Sequence, residues 1–239
     1  ENPDLLPFSC GEIVPFYHGH AAMILALAQA AETIAAGQYE RAIIAGVDSL
    51  IGFEDLDMFN QADRLKTVFN PEGFTPGEAG SAVLVEPIKA AENRNAEIGA
   101  VIDRISTDHE PDNVLAGSNA TGNGLVNVIS AMDREAETAM APDTIITDMN
   151  GETYRAEELG NIYSRTLGSM PGEQNLNYPA KCLGDTGAAY GGIAISIAVR
   201  AMAAEGNIAE AKEEGDALVL ASSDSGTRGA VYIRPHENQ

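Results

Sequence analysis

The stretch GFTPGEAGSAVLVEP, from Gly73 to Pro87, closes on a small and apolar run, GSAVLVEP, that reads as a strand. Upstream lie a second apolar run, RAIIAGVDS (Arg41 to Ser49), and a helix of small residues, AAMILALAQAAETIAAG (Ala21 to Gly37), which stops at a glycine suited to a C-cap. The same order returns late in the chain as AAYGGIAISIAVRAMAAEG (Ala188 to Gly206), DALVLASSDS (Asp216 to Ser225) and GAVYIRP (Gly229 to Pro235). A helix–strand–strand unit is therefore repeated, once between Gly19 and Pro87 and once between Gly184 and Pro235.

Both helices read as buried almost all round, and continuous apolar strands are those covered on both faces. Buried helices on buried strands predict an α/β architecture in which helices lie between two sheets, a five-layer αβαβα plan with an internal pseudo-repeat. Between the repeats the pattern predicts a strand over Ile98 to Ser106, a helix over Gly122 to Glu137, a strand over Asp143 to Asp148 and a helix over Ala156 to Leu167. The second half reads as complete, whereas the first begins near its end. The expectation is an open sheet edge and an uncovered helix face, filled by further polypeptide or by another chain.

Charge narrows the partners. Thirty-six acidic residues against 14 basic ones give a formal net charge of -22, which repels nucleic acid and anionic membrane. The longest apolar stretch, Ala21 to Ala36, is interrupted by Gln29, Glu32 and Thr33 and is short for a bilayer span. No membrane anchor or secretory signal is read at the start, and Cys10 and Cys182 make neither a disulfide framework nor a zinc-ligand spacing. The expectation is a cytoplasmic protein without metal or cofactor.

The stretch Gly73 to Pro87 resembles the β-ketoacyl synthase signature, in which a Gly-Phe, a Gly-Glu and small residues lead into a buried strand. Four further pieces are similar in order and spacing: the helix-glycine-strand unit before it, ITDMNGETYRAEELG (Ile146 to Gly160), the stretch from Lys181 to Gly184 with its Ala/Gly-rich helix, and the glycine turn SDSGTRGAVYI. The resemblance covers essentially the whole chain and implies the thiolase-like fold. It makes residues 1–95 the tail of an N-terminal ketosynthase half and residues 96–239 the C-terminal half.

The same resemblance implies a cysteine nucleophile at a buried helix N-terminus, where helix dipole and backbone amides favour a thiolate, and two assisting histidines. Counting along the motifs, the nucleophile position falls at His20, which forms no stable thioester. The first histidine falls at Met149, which has no proton to transfer, and the second at Asp185. Lys181 is kept, as an organising residue. The gating loop falls at Ser222, Asp224 and Gly226, with Ser222 and Asp224 polar where the family carries phenylalanines beside its glycines. The resemblance thus implies a fold retained without its catalytic set, with precedents in chain-length-factor subunits and in thiolase-like proteins associated with secretion systems.

Other candidates read less sharply. Pro15 separates Cys10 from the helix, and Cys182 has only Lys181 beside it. His18 and His20 lack a completing cluster for a metal. A hydrogen bond between His20 and Asp185 would make an imidazole–carboxylate pair of the kind used by general bases. AGSNATGNG (Ala116 to Gly124) matches no phosphate loop and predicts a helix N-cap at Asn119 or Thr121. The run Ala209 to Asp216 reads as a solvated helix end or loop. Two principal functional classes remain: an assembly subunit, forming a homodimer or a hetero-oligomer with another thiolase-fold chain, or an acyltransferase or 3-oxoacyl synthase-related enzyme acting on acyl thioesters through His20, Asp185 and Lys181. A small-molecule binding module is the third reading. Docking of an acidic acyl carrier protein is disfavoured by the net charge.

Overall fold

The computed structural model describes residues 11–134, 139–170, 175–202 and 215–236. In chain order its elements are α1 (Ala22–Ala35), β1 (Ala42–Ser49), α2 (Phe53–Gln61), β2 (Glu78–Val85), α3 (Ile88–Asn93), β3 (Val101–His109) and α4 (Asn123–Arg134). There follow β4 (Thr144–Thr147), α5 (Thr153–Arg165), β5 (Asn175–Asn177), α6 (Ala180–Leu183), α7 (Tyr190–Met202), β6 (Ala217–Ser222) and β7 (Thr227–Arg234). Short 3-10 turns at Gly19–Ala21 and Gly187–Ala189 lead into α1 and α7.

The strands form a two-stranded sheet, β1 beside β2, and a five-stranded sheet in the order β3-β7-β6-β4-β5. Alternate residues of β6 divide between two cores. Val219 and Ala221 pack with Met23, Ile24 and Leu27 of α1 and Ala194, Ile195 and Ala198 of α7. Leu218 and Leu220 pack with Leu125, Val128 and Ile129 of α4 and Ile162 of α5. The larger sheet is thus covered on both faces, which explains why β6 is apolar without interruption. Each fully buried aliphatic side chain here contributes about 1.5–3 kcal/mol. Among the described residues the order of layers is the small sheet, α1 with α7, the large sheet, and α4 with α5.

Small residues let the central helices approach closely. A Cβ on Gly191 would stand 2.8 Å from Met23 Cβ, and one on Gly192 would stand 2.4 Å from the Ser81 hydroxyl. Helix α1 ends as its sequence predicts, with Gly37 at φ 70° and the Gln38 amide bonded to the Thr33 carbonyl.

The structure departs from expectation in four places. Strand β1 is not covered on both faces: Ile44 is buried, whereas Ile43 and Val47 are 59% and 81% exposed, because α1 and α7 cover one side only. Strand β3 runs later than predicted because its register against β7 carries it to His109, opposite Thr227. Helix α5 starts at Thr153, three residues early, since the Asn150 side chain turns the chain by accepting the Glu152 amide. The N-terminus of α4 is satisfied by Glu110, which accepts from the Gly124 amide at 2.9 Å, while Thr121 bonds to the same carboxylate rather than capping.

Among the described residues no helix is long and apolar enough to cross a membrane. No group of three or more His, Cys, Asp or Glu among them is arranged to hold a metal ion.

Candidate functional site

The N-terminal ends of α1 and α7 meet, and the chemistry-bearing residues collect there. His20, in the turn before α1, faces Asp185, in the segment before α7. His20 Nε2 and Asp185 Oδ1 lie 2.6 Å apart with both side chains buried. The Asp185 backbone is fixed by exchange with the segment Thr75–Gly77: its amide donates to the Thr75 carbonyl and its carbonyl accepts from the Gly77 amide. Its carboxylate also accepts from the Gly187 amide at 3.0 Å and from Asn150 Nδ2 at 2.7 Å. The His20 ring stands edge-on to Tyr190, whose hydroxyl donates to the Leu220 carbonyl.

A buried guanidinium completes the centre. Arg155, on the inward face of α5, approaches His20 Nδ1 at 3.3 Å and donates to Asp148, to the Ser222 carbonyl and to Asp224. Asp148 in turn accepts from the Ser222 amide at 2.6 Å. Beyond it, Arg64 makes a bidentate pair with Glu152 at 2.6 and 2.8 Å and reaches Asp224 at 2.7 Å. Behind the loop after β6, the fully buried Arg228 donates to Glu158, which also accepts from the Ser222 hydroxyl. Three arginines therefore interlock with five carboxylates and one imidazole, and most of the donors and acceptors are paired.

Burial opposes charge at every one of these groups, and the neighbours decide the sign. Desolvation, the largest influence, would lower the His20 pKa, as does the Arg155 charge, but the Asp185 and Asp148 carboxylates together prevail and the net direction is upward. For Asp185, desolvation is outweighed by His20 and Arg155, and its pKa lies far below the usual carboxylate range. Asp224 is likewise held low by Arg155 and Arg64 against its own desolvation. Glu158 moves upward because burial prevails over its bonds to Arg228 and Ser222.

His20 and Asp185 are thus brought together, as are Ser222, at the end of β6, which bonds to Glu158 and Arg155, and Asp224, in the turn after it, which bonds to Arg155 and Arg64. Gly226 takes φ 104°, and a Cβ there would strike the Glu110 carbonyl at 2.5 Å. Met149, expected at the first histidine's position, lines the small cavity beside Asp148 and Arg155. Its neighbour Asn150 reaches the centre, because the turn into α5 aims the carboxamide at Asp185. Lys181 is exposed, with its ammonium over the Tyr178 ring at 4.8 Å. Cys182 is exposed beside it. His18 lies at the start of the 3-10 turn and contacts the Thr227 hydroxyl. Cys10 and most of the acidic run, residues 209–214, lie outside the described residues.

Arg64, Arg155, Glu152, Glu158 and Arg228 were not anticipated. The signal for some of them is present: Arg155, Glu158 and Ile162 follow helical spacing, so two charges occupy what should be an apolar stripe. The cavity beside them, lined by Asp148, Met149, Arg155, Glu158 and Ser222 among others, holds about 10 Å3, near the minimum for one water molecule.

No protein-family model and no curated protein matches the sequence. Solved structures do match in shape. One is the ketosynthase of a type II polyketide synthase in complex with its acyl-carrier protein, AntDE:AntF, at TM-score 0.78 and 16% identity over 95% of this chain and 64% of that one. Two are structures of the module 6 ketosynthase of the bacillaene synthase from Bacillus subtilis 168. They give TM-scores of 0.78 and 0.73 at 15% and 14% identity, over 99% and 92% of this chain. The chain spans between 47% and 64% of the length of these neighbours. At such identities the likeness is one of architecture, and the chain carries the mixed α/β, thiolase-like fold of ketosynthases.

Proposed function

We propose that this chain is a non-catalytic ketosynthase-like subunit whose role is assembly. The observation that carries this reading is the buried ion network centred on His20, Asp185 and Arg155. Where the family resemblance calls for a thiolate and two proton-transferring histidines, most polar groups are committed to an ion pair or hydrogen bond. The adjoining space of about 10 Å3 has no room for an acyl chain.

The same reading extends to architecture. The units α1-β1-β2 and α7-β6-β7 each present a helix followed by two antiparallel strands, which supports a pseudo-repeat dividing residues 1–95 from 96–239. In the second unit, β7 is flanked by β3 and β6 by β4, whereas among the described residues β1 and β2 pair only with each other. Exposed Ile43, Val47 and Leu84 on the small sheet support a fifth layer and added strands contributed by further thiolase-fold polypeptide, in a homodimer or a hetero-oligomer of the chain-length-factor kind. The net charge of -22 argues against tight docking of an acidic acyl carrier protein, although one structural neighbour is bound to its own.

Intact-mass spectrometry after incubation with acyl- and malonyl-coenzyme A thioesters, with native mass on the same sample, tests the proposal. No adduct together with a dimeric or mixed-subunit mass is expected. A stoichiometric acyl adduct or malonyl decarboxylation would overturn it. The one observation favouring an enzyme is the imidazole–carboxylate contact of 2.6 Å. That reading requires thioester turnover that disappears in His20→Ala.

A further inference from the structure

One carboxylate in the network is shared by two guanidinium groups. Asp224 Oδ2 accepts from Arg64 Nη1 at 2.7 Å, and Asp224 Oδ1 accepts from Arg155 Nη2 at 3.0 Å. Neither arginine depends on Asp224 for its position. Arg64 is held by its bidentate pair with Glu152 and lies 5.6 and 5.4 Å from the ring centres of Phe59 and Phe74. Arg155 is held by Asp148 and by the Ser222 carbonyl. Its Nε, buried, has no hydrogen-bond partner, the nearest Glu152 oxygen being 3.9 Å away.

Asp224 differs from the other anions in its place in the fold. It sits in the turn between β6 and β7, closed by the Ser223 amide on the Thr227 carbonyl and the Gly226 amide on the Ser223 carbonyl. Its side chain is 30% exposed while that of Arg155 is 4% exposed. The carboxylate thus enters from the solvent side, on a loop, onto two donors that are already in place.

We propose that the Arg64–Arg155 pair is a binding site for a small monocarboxylate, occupied in this state by Asp224 as a tethered ligand. Guanidinium donors match the two oxygens of a planar carboxylate, and a partly desolvated setting strengthens the match. The neighbouring Glu152 and Asp148 carboxylates select against a dianion such as phosphate. A ligand tethered by a short loop has an effective concentration of the order of millimolar or above, so a dilute free carboxylate does not displace it. The site therefore opens to an outside carboxylate only when the turn from Ser223 to Gly226 moves away, leaving Ser222 and its carbonyl in β6. This inference is independent of whether the chain is catalytic.

The test removes the tethered carboxylate and supplies a free one. Thermal unfolding of the wild type, Asp224→Gly and Asp224→Asn is compared in about 100 mM sodium acetate, in sodium chloride of equal ionic strength, and in chloride with acetamide, the neutral isostere of acetate. Asp224→Gly should melt below wild type in chloride and recover at least half of that loss in acetate, with no recovery in acetamide. Asp224→Asn fills the space without charge and should gain from acetate no more than wild type does. Equal melting of Asp224→Gly in acetate and chloride would overturn the proposal, as would an equal acetate gain in all three proteins, which would be a general salt effect. If Asp224→Gly fails to fold in chloride, its refolding yield from urea is compared in the two salts. Recovery confined to acetate supports the site, and equal failure in both rules it out.

Discussion

Asp185 Oδ1 lies 2.6 Å from His20 Nε2 across the junction of two helix–strand–strand units, and the two residues are 165 positions apart. Removing one partner of such a buried pair strands the other in a desolvated setting, at a cost of about 3–5 kcal/mol. Asp185→Asn is expected to lose stability in that range, since the replacement also weakens the bonds from Asn150 and from the Gly187 amide. Urea unfolding measures it, and a loss under about 1 kcal/mol would mean that the pair contributes no more than an exposed one.

The pair also fixes a dependence on pH. Because the folded His20 pKa is raised above its ordinary 6.5, the stability it adds is fully present below 6.5 and is lost as pH rises through the folded value. Because Asp185 is depressed below its ordinary 3.8, its contribution is present above 3.8 and is lost as pH falls through the lower folded value. The stability difference between wild type and His20→Gln should therefore be largest between those two ordinary values and shrink toward alkaline pH. A difference that grows on the alkaline side would show that Arg155, not Asp185, governs the imidazole.

The faces of β1 can be separated by paired substitutions. Ile44 lies in the core, so Ile44→Ala should cost about 2–5 kcal/mol. Ile43 is exposed, so Ile43→Lys should stay within about 0.5 kcal/mol of wild type as a monomer while lowering any self-association seen by native mass. If Ile43→Lys unfolds the monomer, that face is covered within the same chain.

Much of the fold was legible because α1, α7, β6 and β7 are apolar on nearly every side, and only a central position between layers satisfies such sequences. The ends of elements were less legible. Nothing local in Ile98 to Ser106 says that β3 continues to His109; the register against β7 decides that. At the site, His20 and Asp185 were placed together by counting along family motifs. The same count put Met149 at the first histidine's position and said nothing of Asn150, whose bond to Asp185 depends on a turn that spacing does not show. The arginines stayed hidden for a different reason: a charged residue reads as solvent-facing until the fold supplies anions around it, as the core does for Arg228.

Arg228 offers a matching experiment. It is fully buried and its Nε donates to Glu158 Oε1 at 2.8 Å. Arg228→Met leaves Glu158 without its cation, although burial already favours the neutral carboxyl. The expected loss is about 3 kcal/mol at neutral pH, diminishing as acid protonates Glu158. A loss that does not diminish on acidification would assign the cost to packing alone.

The contacts of Arg155 run to His20 and Asp224, 135 and 69 positions away, as well as to nearby Asp148. Asp224 is available only once α5 has packed on the second unit, and His20 only once both units have docked, and loop closure over such separations is slow. The guanidinium must therefore keep its hydration shell through collapse and surrender it late. Asp224→Asn should accordingly speed unfolding and leave the folding rate nearly unchanged in stopped-flow measurements. A chain that packs its apolar layers in the wrong alignment would trap these charges without counterions, so the centre acts as a checkpoint on folding, rejecting near-native arrangements that the apolar layers alone would tolerate.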